Sequence, residues 1–222
     1  MLWNNLELPP AYYQDDAVYI IHGDCREILP LIPDKSIDLV LTDPPYGVGV
    51  DYGEFLDTQD NVNHLIQETI PLCITKSKRT VLTCGVSNMW LYPPATWVIC
   101  WLNKAGANRN SWGFSCWSPV LVYGKDPYLA KGLGARADYI EHNETSPDNG
   151  HPTPKPYNFW KLLLARCSVD MDDIILDPFM GSGTTIVVAK HLNRKCIGIE
   201  IEEKYCEIAA KRCSQSVMRL EV

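Results

Sequence analysis

The chain has 222 residues, 46% hydrophobic and 21% charged, enough for one substantial α/β domain and too few for two ordinary ones. No apolar run approaches the roughly 20 residues that span a bilayer, and Met1 to Leu6 lacks the basic region and apolar core of a signal peptide, so neither is expected. The net charge of −7 argues against a strongly basic nucleic-acid binder, but Lys104 to Lys161 carries seven basic residues against five acids, so a polyanion would approach there.

Residues 1–16 hold polar groups, aromatic rings and two prolines, and read as an extended arm. Val18-Tyr19-Ile20-Ile21-His22 is the first expected strand and runs into Gly23-Asp24. A short helix from Cys25 to Leu31 is stopped by Pro33. Ile37-Asp38-Leu39-Val40-Leu41-Thr42 follows as a buried strand that delivers Asp43 to its C-terminal end. Three glycines in seven residues make Gly47 to Gly53 an expected mobile loop.

From Val62 to Ile74 the apolar residues keep the i, i+3, i+4 spacing of a helix. Thr80–Gly85, Thr96–Trp101 and Pro119–Tyr123 are further strands, the last two separated by the polar stretch Asn103–Ser115. Residues 124–150, rich in Gly, Pro, Asp and Asn, show no sustained period and read as an insertion. A helix over Pro156–Cys167, a strand over Asp173–Asp177, a helix over Thr184–Leu192, a strand over Lys195–Glu200 and a helix over Glu203–Cys213 complete the chain. The alternation predicts a mostly parallel sheet with helices on both faces.

Nine cysteines are scattered without a Cys-x-x-Cys pair, which fits buried reduced thiols in a cytosolic protein and no metal site.

Four strand ends carry acids, and ligands of open α/β sheets bind at that edge. In Asp43-Pro44-Pro45-Tyr46 the prolines fix two φ angles and remove two donors, which stiffens the turn and its carbonyls. A carboxylate, a rigid carbonyl and an aromatic ring suit a planar ligand bearing an amino group. Asp177-Pro178-Phe179-Met180-Gly181-Ser182-Gly183-Thr184-Thr185 joins a strand to a helix through glycines that allow close backbone approach. It lacks Gly-Lys-Ser/Thr, and Ile186 stands where a dinucleotide fingerprint needs its third glycine. Glu200 ends the next strand, where an acid can accept from ribose hydroxyls. Asp24 is placed to accept from an adenine amine or simply to form a turn. His151-Pro152-Thr153-Pro154-Lys155-Pro156 is a stiff lead into a helix.

Asp-Pro-Pro-Tyr followed about 130 residues later by Asp-Pro-Phe-x-Gly-Ser-Gly-Thr-Thr resembles the S-adenosylmethionine-dependent DNA amino-methyltransferases. With the catalytic motif first and the glycine turn last, the order is similar to their beta group, whose chains look circularly permuted. The resemblance runs from about Val18 to Arg212 and implies a single Rossmann-like, doubly wound sheet of seven mainly parallel strands, with Pro119–Tyr123 antiparallel near an edge.

It implies roles for residues as well. Asp177, Phe179, Gly181, Ser182, Gly183 and Thr184 would line the methionine part of the cofactor. Glu200 would bind its ribose, Asp24 its adenine, and Lys155 would close over its tail. Asp43, Pro44, Pro45 and Tyr46 would hold the target base, with Tyr52 or Trp90 able to stack on it. Pro154 stands where the family usually has Gln, and Trp117-Ser118 where it often has His-Glu. The short segment 124–150 would be the target-recognition region, or recognition would be shared within a homodimer.

Asp at position 43 points to adenine N6, because N4-cytosine enzymes more often have Ser there. No proline precedes a cysteine, which disfavours ring-carbon methylation of cytosine. Double-stranded DNA is the expected partner. N4-cytosine, RNA or protein-amide methylation, and a non-catalytic DNA-binding relative, stay open as alternatives.

Overall fold

The computed structural model describes residues 6, 8–53, 55–104, 108–110, 112–143 and 155–215. In chain order the strands are β1 (Tyr13–Gln14), β2 (Val18–His22), β3 (Ile37–Thr42), β4 (Ser77–Thr83), β5 (Trp97–Leu102), β6 (Asn108–Asn110), β7 (Gly113–Ser115), β8 (Trp117–Gly124), β9 (Tyr139–Glu141), β10 (Ile174–Asp177) and β11 (Lys195–Glu200). The α-helices are α1 (Cys25–Ile28), α2 (Gln59–Lys76), α3 (Pro127–Ala130), α4 (Tyr157–Cys167), α5 (Thr184–His191) and α6 (Glu203–Gln215). Two single 3-10 turns, Leu29–Leu31 and Met89–Leu91, sit between them.

Nine strands form one sheet in the order β1-β2-β11-β10-β3-β4-β8-β5-β9. Seven of them carry the expected Rossmann-like frame. The two additions are short edge strands, β1 with two residues and β9 with three. β2, β11, β10, β3 and β4 are parallel to one another, while β8 runs antiparallel to both β4 and β5. β8 thus lies near one edge, as expected, with only β5 and the short β9 beyond it. β1 adds a third antiparallel pairing to this sheet, at the far edge.

The central strands read as unbroken apolar runs because both faces are covered. Leu39, Leu41, Val81 and Ile175 face α4, α5 and α6, packing with Trp160, Leu163 and Val188. Val40, Leu82, Leu121, Leu176 and Ile197 face the opposite side, where α1 and α2 pack. In α2 the buried residues Val62, Leu65, Ile66, Thr69, Ile70 and Cys73 make one stripe, as their spacing predicts. Thr58 caps this helix by accepting from the Asn61 N–H at 3.3 Å. All nine cysteines are unbridged, and seven of them are buried.

Candidate active site

Because β2, β3, β4, β10 and β11 are parallel, their C-terminal ends share one edge. Asp24, Asp43, Asp177 and Glu200 follow from those ends and line a single cleft, together with Lys155, Phe179, Gly181, Ser182 and Thr184. The sequence-predicted site residues thus come together, with three qualifications. Pro44 and Gly183 are buried and Tyr46 is half-buried, and these three adjoin the lining residues without being among them. His151 to Pro154 lie outside the described residues.

Asp177 is buried and accepts from Thr42 Oγ1 (2.6 Å), Thr185 Oγ1 (2.5 Å) and the Phe179 N–H (3.1 Å). Trp160 Nε1 donates in turn to Thr185 Oγ1 at 2.7 Å, so a helix, a strand and the turn are tied at one carboxylate. Burial pushes the Asp177 carboxyl up to about 6. Its main task is to hold the start of the glycine turn.

Gly181 and Gly183 adopt φ of 53° and 82°. At Gly183 a Cβ would stand 2.7 Å from the Ala209 Cβ, so the turn can sit on α6 only with glycine there. Arg212 of α6 donates from Nη1 to the Ser182 carbonyl at 2.5 Å and fixes the turn from the far side.

Glu200 is 9% exposed. Its two carboxylate oxygens accept from the N–H groups of Gly181 (2.8 Å) and Glu202 (2.9 Å), and burial pushes its carboxyl up to about 7. Each oxygen keeps a second lone pair for a ligand hydroxyl. Asp24 is more heavily committed. It caps α1 through the Arg26 N–H (2.8 Å), and its Oδ2 accepts from Arg26 Nε (2.9 Å) and Nη2 (2.6 Å). Burial raises its carboxyl, but the Arg26 bonds win and hold it below the usual range. The turn-forming role is therefore real, and a ligand amine would have to share Asp24 with Arg26.

On the β3 side, Asp43 is held by other side chains. Its Oδ1 accepts from the Tyr46 hydroxyl at 2.8 Å and from Thr83 Oγ1, and its Oδ2 pairs with Lys155 Nζ. Lys155 lies 5.1 Å from the Tyr46 ring centroid. The ammonium expected over a cofactor tail is thus on the Asp43 carboxylate. Asn88 Nδ2 donates to the Tyr46 carbonyl at 2.7 Å, which fixes the turn after the prolines. Burial, then the Asp43 charge, pushes the Tyr46 phenol well above its ordinary value, so Tyr46 stays a neutral donor.

The loop from Gly47, expected to be mobile, is pinned. Buried Asp57 accepts from the N–H groups of Gly47 (2.7 Å), Val48 (3.1 Å) and Val50 (3.0 Å). The glycines serve its tight path, and a carboxylate ten residues downstream supplies the anchor. Thr83, Asn88, Asp57 and Arg212 are the supports that sequence reading missed, while Thr185 lay inside the quoted glycine-turn motif without an assigned role. Only Thr83 left a signal, as a polar residue at the C-terminal end of the strand beside β3.

The carboxylates of Asp24, Asp43, Asp177 and Glu200, the apolar Leu65, Phe179, Met180 and Ile201, a left-handed glycine turn and Lys155 line the cleft. It suits a nucleoside joined to a charged tail, lying beside an amine acceptor. A family model described as DNA methylase, of the N6/N4 methyltransferases, matches residues 76–211. The chain belongs to this DNA methylase family.

Among relatives, the methylase is 26% identical over 250 residues to DNA adenine methyltransferase YhdJ of Escherichia coli strain K12, covering 91% of this chain and 85% of that one. It is 29% identical over 234 residues to type II methyltransferase M.HpaI of Haemophilus parainfluenzae, with 87% and 73% covered. Among solved structures, the cytosine-N4-specific PvuII DNA methyltransferase superposes with a TM-score of 0.70 at 19% identity, covering 91% of this chain and 88% of that one. The M1.HpyAVI–SAM complex gives 0.66 at 24% identity, with 88% and 98% covered. These structures share the fold. No helix among the described residues is long and apolar enough to cross a membrane.

Proposed function

We propose that this methylase transfers a methyl group from S-adenosylmethionine to the exocyclic N6 of an adenine turned out of duplex DNA. The observation that carries this reading is the shared cleft, with the Asp43 carboxylate on one wall and the Glu200 carboxylate and Gly181–Thr184 turn on the other.

The cofactor, when bound, supplies an electrophilic methyl group on a sulfonium. Glu200 holds its ribose, the Gly181–Thr184 turn and Phe179 hold its amino-acid half, and Asp24 faces its base. Asp43 and the Pro44 carbonyl do the work on the target. An exocyclic amine is a poor nucleophile because its lone pair is delocalised into the ring. Accepting its two N–H bonds favours a pyramidal nitrogen with a localised pair. Tyr46 and Thr83 occupy Asp43 Oδ1, so the amine bonds at Oδ2, whose spare acceptor capacity lies beside Lys155. The amine of a paired base is buried in the duplex, so the base must leave the stack to reach this pocket.

The adenine choice rests on Asp43 and on the likeness to an adenine enzyme across nearly the whole chain. N4-cytosine is the second reading, favoured by the likeness in fold to a cytosine-N4-specific enzyme. Incubation with methyl-labelled S-adenosylmethionine and duplex DNA, then digestion to nucleosides, separates them. Label in N6-methyladenine is expected, and label in N4-methylcytosine instead moves the assignment to the second reading. No label in DNA, with label in RNA or protein supplied in parallel incubations, overturns both. Sequencing the treated DNA by a method that detects methylated bases gives the recognition site.

A further inference from the structure

Residues 124–150 are expected to read the target, yet the chain leaves β8 at the wrong edge for that. Gly124, the end of β8, pairs with Arg79 near the start of β4, whereas Asp43 follows the end of β3. Hence α3 lies on the edge opposite the cleft. β9 then runs parallel to β5 and returns the chain toward the catalytic edge only at His142.

A different segment is at the right edge throughout. Leu102 at the end of β5 pairs with Trp117 at the start of β8, and Val120 of β8 pairs with Thr83, the Asp43 partner. The β6–β7 hairpin between Leu102 and Trp117 therefore projects from the edge that carries Asp43, three strands along. At ~4.8 Å per strand that is about 14 Å, within the width of one duplex.

Its chemistry is unusual for a monomer surface. Trp112, in the turn of the hairpin, is 98% exposed, and Phe114 on β7 is 66% exposed. Trp90, in the turn following β4 at the same edge, is 81% exposed. Large aromatic rings are normally mostly buried. The sequence around them is also free of negative charge. Between Glu68 and Asp126 there is no acidic residue, and Arg109 lies within β6 itself, while Lys104 before it pairs with Glu141 of β9, in a chain whose net charge is −7. An aromatic projection whose own residues include no acid, with Glu141 nearby neutralised by Lys104, fits a polyanion with stacked rings.

We propose, building on the adenine-methylation reading, that the β6–β7 hairpin enters duplex DNA and that Trp112 fills the gap left in the base stack when the target turns out. A ring stacked in the vacated space offsets part of the unstacking cost, which falls on the step before methyl transfer. The wedge is needed only when the target is paired and stacked.

The test uses the unaltered chain and Trp112→Ala on two duplexes bearing the recognition site. One has the normal pair, and the other has an abasic site opposite the target base, which loosens it beforehand. Trp112→Ala is expected to lower kcat/KM on the normal duplex by about 10- to 100-fold. On the abasic-opposed duplex it should stay within about threefold of the unaltered chain, and Trp112→Phe should recover most of the loss. Equal loss on both duplexes, or no loss on either, overturns the wedge. So does a change from dimer to monomer in sedimentation with parallel loss on both duplexes, which would make the hairpin a contact between copies. If the unaltered chain methylates neither duplex, the underlying adenine reading has failed instead.

Discussion

The two walls of the cleft are built on opposite plans. On the β10–β11 wall the carboxylates are buried and satisfied by their own surroundings, Asp177 by two hydroxyls and an N–H, Glu200 by two N–H groups. On the β3–β4 wall Asp43 is half-buried, and side chains from three separate places meet it: Tyr46 from the following turn, Thr83 from the next strand and Lys155 from the approach to α4. The first wall is rigid because its acceptors belong to the backbone turn they shape. The second leaves acceptor capacity at one oxygen, as a group must that bonds transiently to an incoming amine. Binding and chemistry should therefore separate under mutation.

The largest effect should come from Asp43→Ala. It removes the acceptor that localises the nitrogen lone pair, and the loss in single-turnover methyl transfer should be on the order of 1,000-fold or more. Cofactor affinity, measured by calorimetry, should stay within about threefold, because the binding wall is tied together without Asp43. Equal loss of both would show that the two walls are not independent.

Much of this contrast was legible in the sequence. The acids at strand ends, the glycine turn and the strand–helix alternation are local patterns, and parallel strands necessarily bring their C-terminal ends to one edge. The supports were not legible, because they act across long separations. Asp57 meets Gly47 through a loop, Arg212 reaches Ser182 from another helix, and the Lys155–Asp43 pair spans 112 positions. Nothing in a Gly-rich stretch says whether a distant carboxylate will pin it. The antiparallel direction and near-edge place of β8 were legible only through the family resemblance and not in any local pattern, since a strand's direction and neighbours are set by the pairing of the whole sheet. The same holds for segment 124–150, whose composition marks an insertion but not the edge from which it leaves.

A second change probes the rigid wall. Glu200→Gln should weaken cofactor binding by roughly 10- to 100-fold, because hydrogen bonds to a charged acceptor are the stronger kind. Its effect on stability should run the other way with pH. Glu200 has a folded pKa of about 7 against an ordinary 4.5, so the folded state prefers the protonated acid. Below about 4.5 both states are protonated, and the Glu and Gln chains differ only by a constant offset. As pH rises from 4.5 toward 7 the unfolded carboxyl ionises freely and the folded one does so at a cost, so the Glu chain loses stability relative to Gln. Above about 7 the difference levels off. At ~1.4 kcal/mol per tenfold change in acidity constant, the relative gain of Gln across this window is on the order of 3 kcal/mol. Urea unfolding at pH 4.5 and pH 8 measures it, and a difference that stays flat between them would show that burial does not govern Glu200.

The smallest change tests the open wall without dismantling it. Thr83→Val keeps the shape of the side chain and removes one of the two hydroxyls that donate to Asp43 Oδ1, leaving Tyr46 in place. A hydrogen bond to a charged acceptor contributes roughly 1.5 kcal/mol at the lower end. If Thr83 holds the carboxylate in the orientation from which Oδ2 meets the amine, kcat should fall about tenfold. The KM for the cofactor should not move, and Thr83→Ser should restore the rate because it returns the hydroxyl without the methyl. A packing role alone predicts the reverse pattern, with the rate kept in Val and the stability lowered in Ser. The Val and Ser chains thus decide whether Asp43 is oriented by its neighbours or by the strand end and prolines that present it.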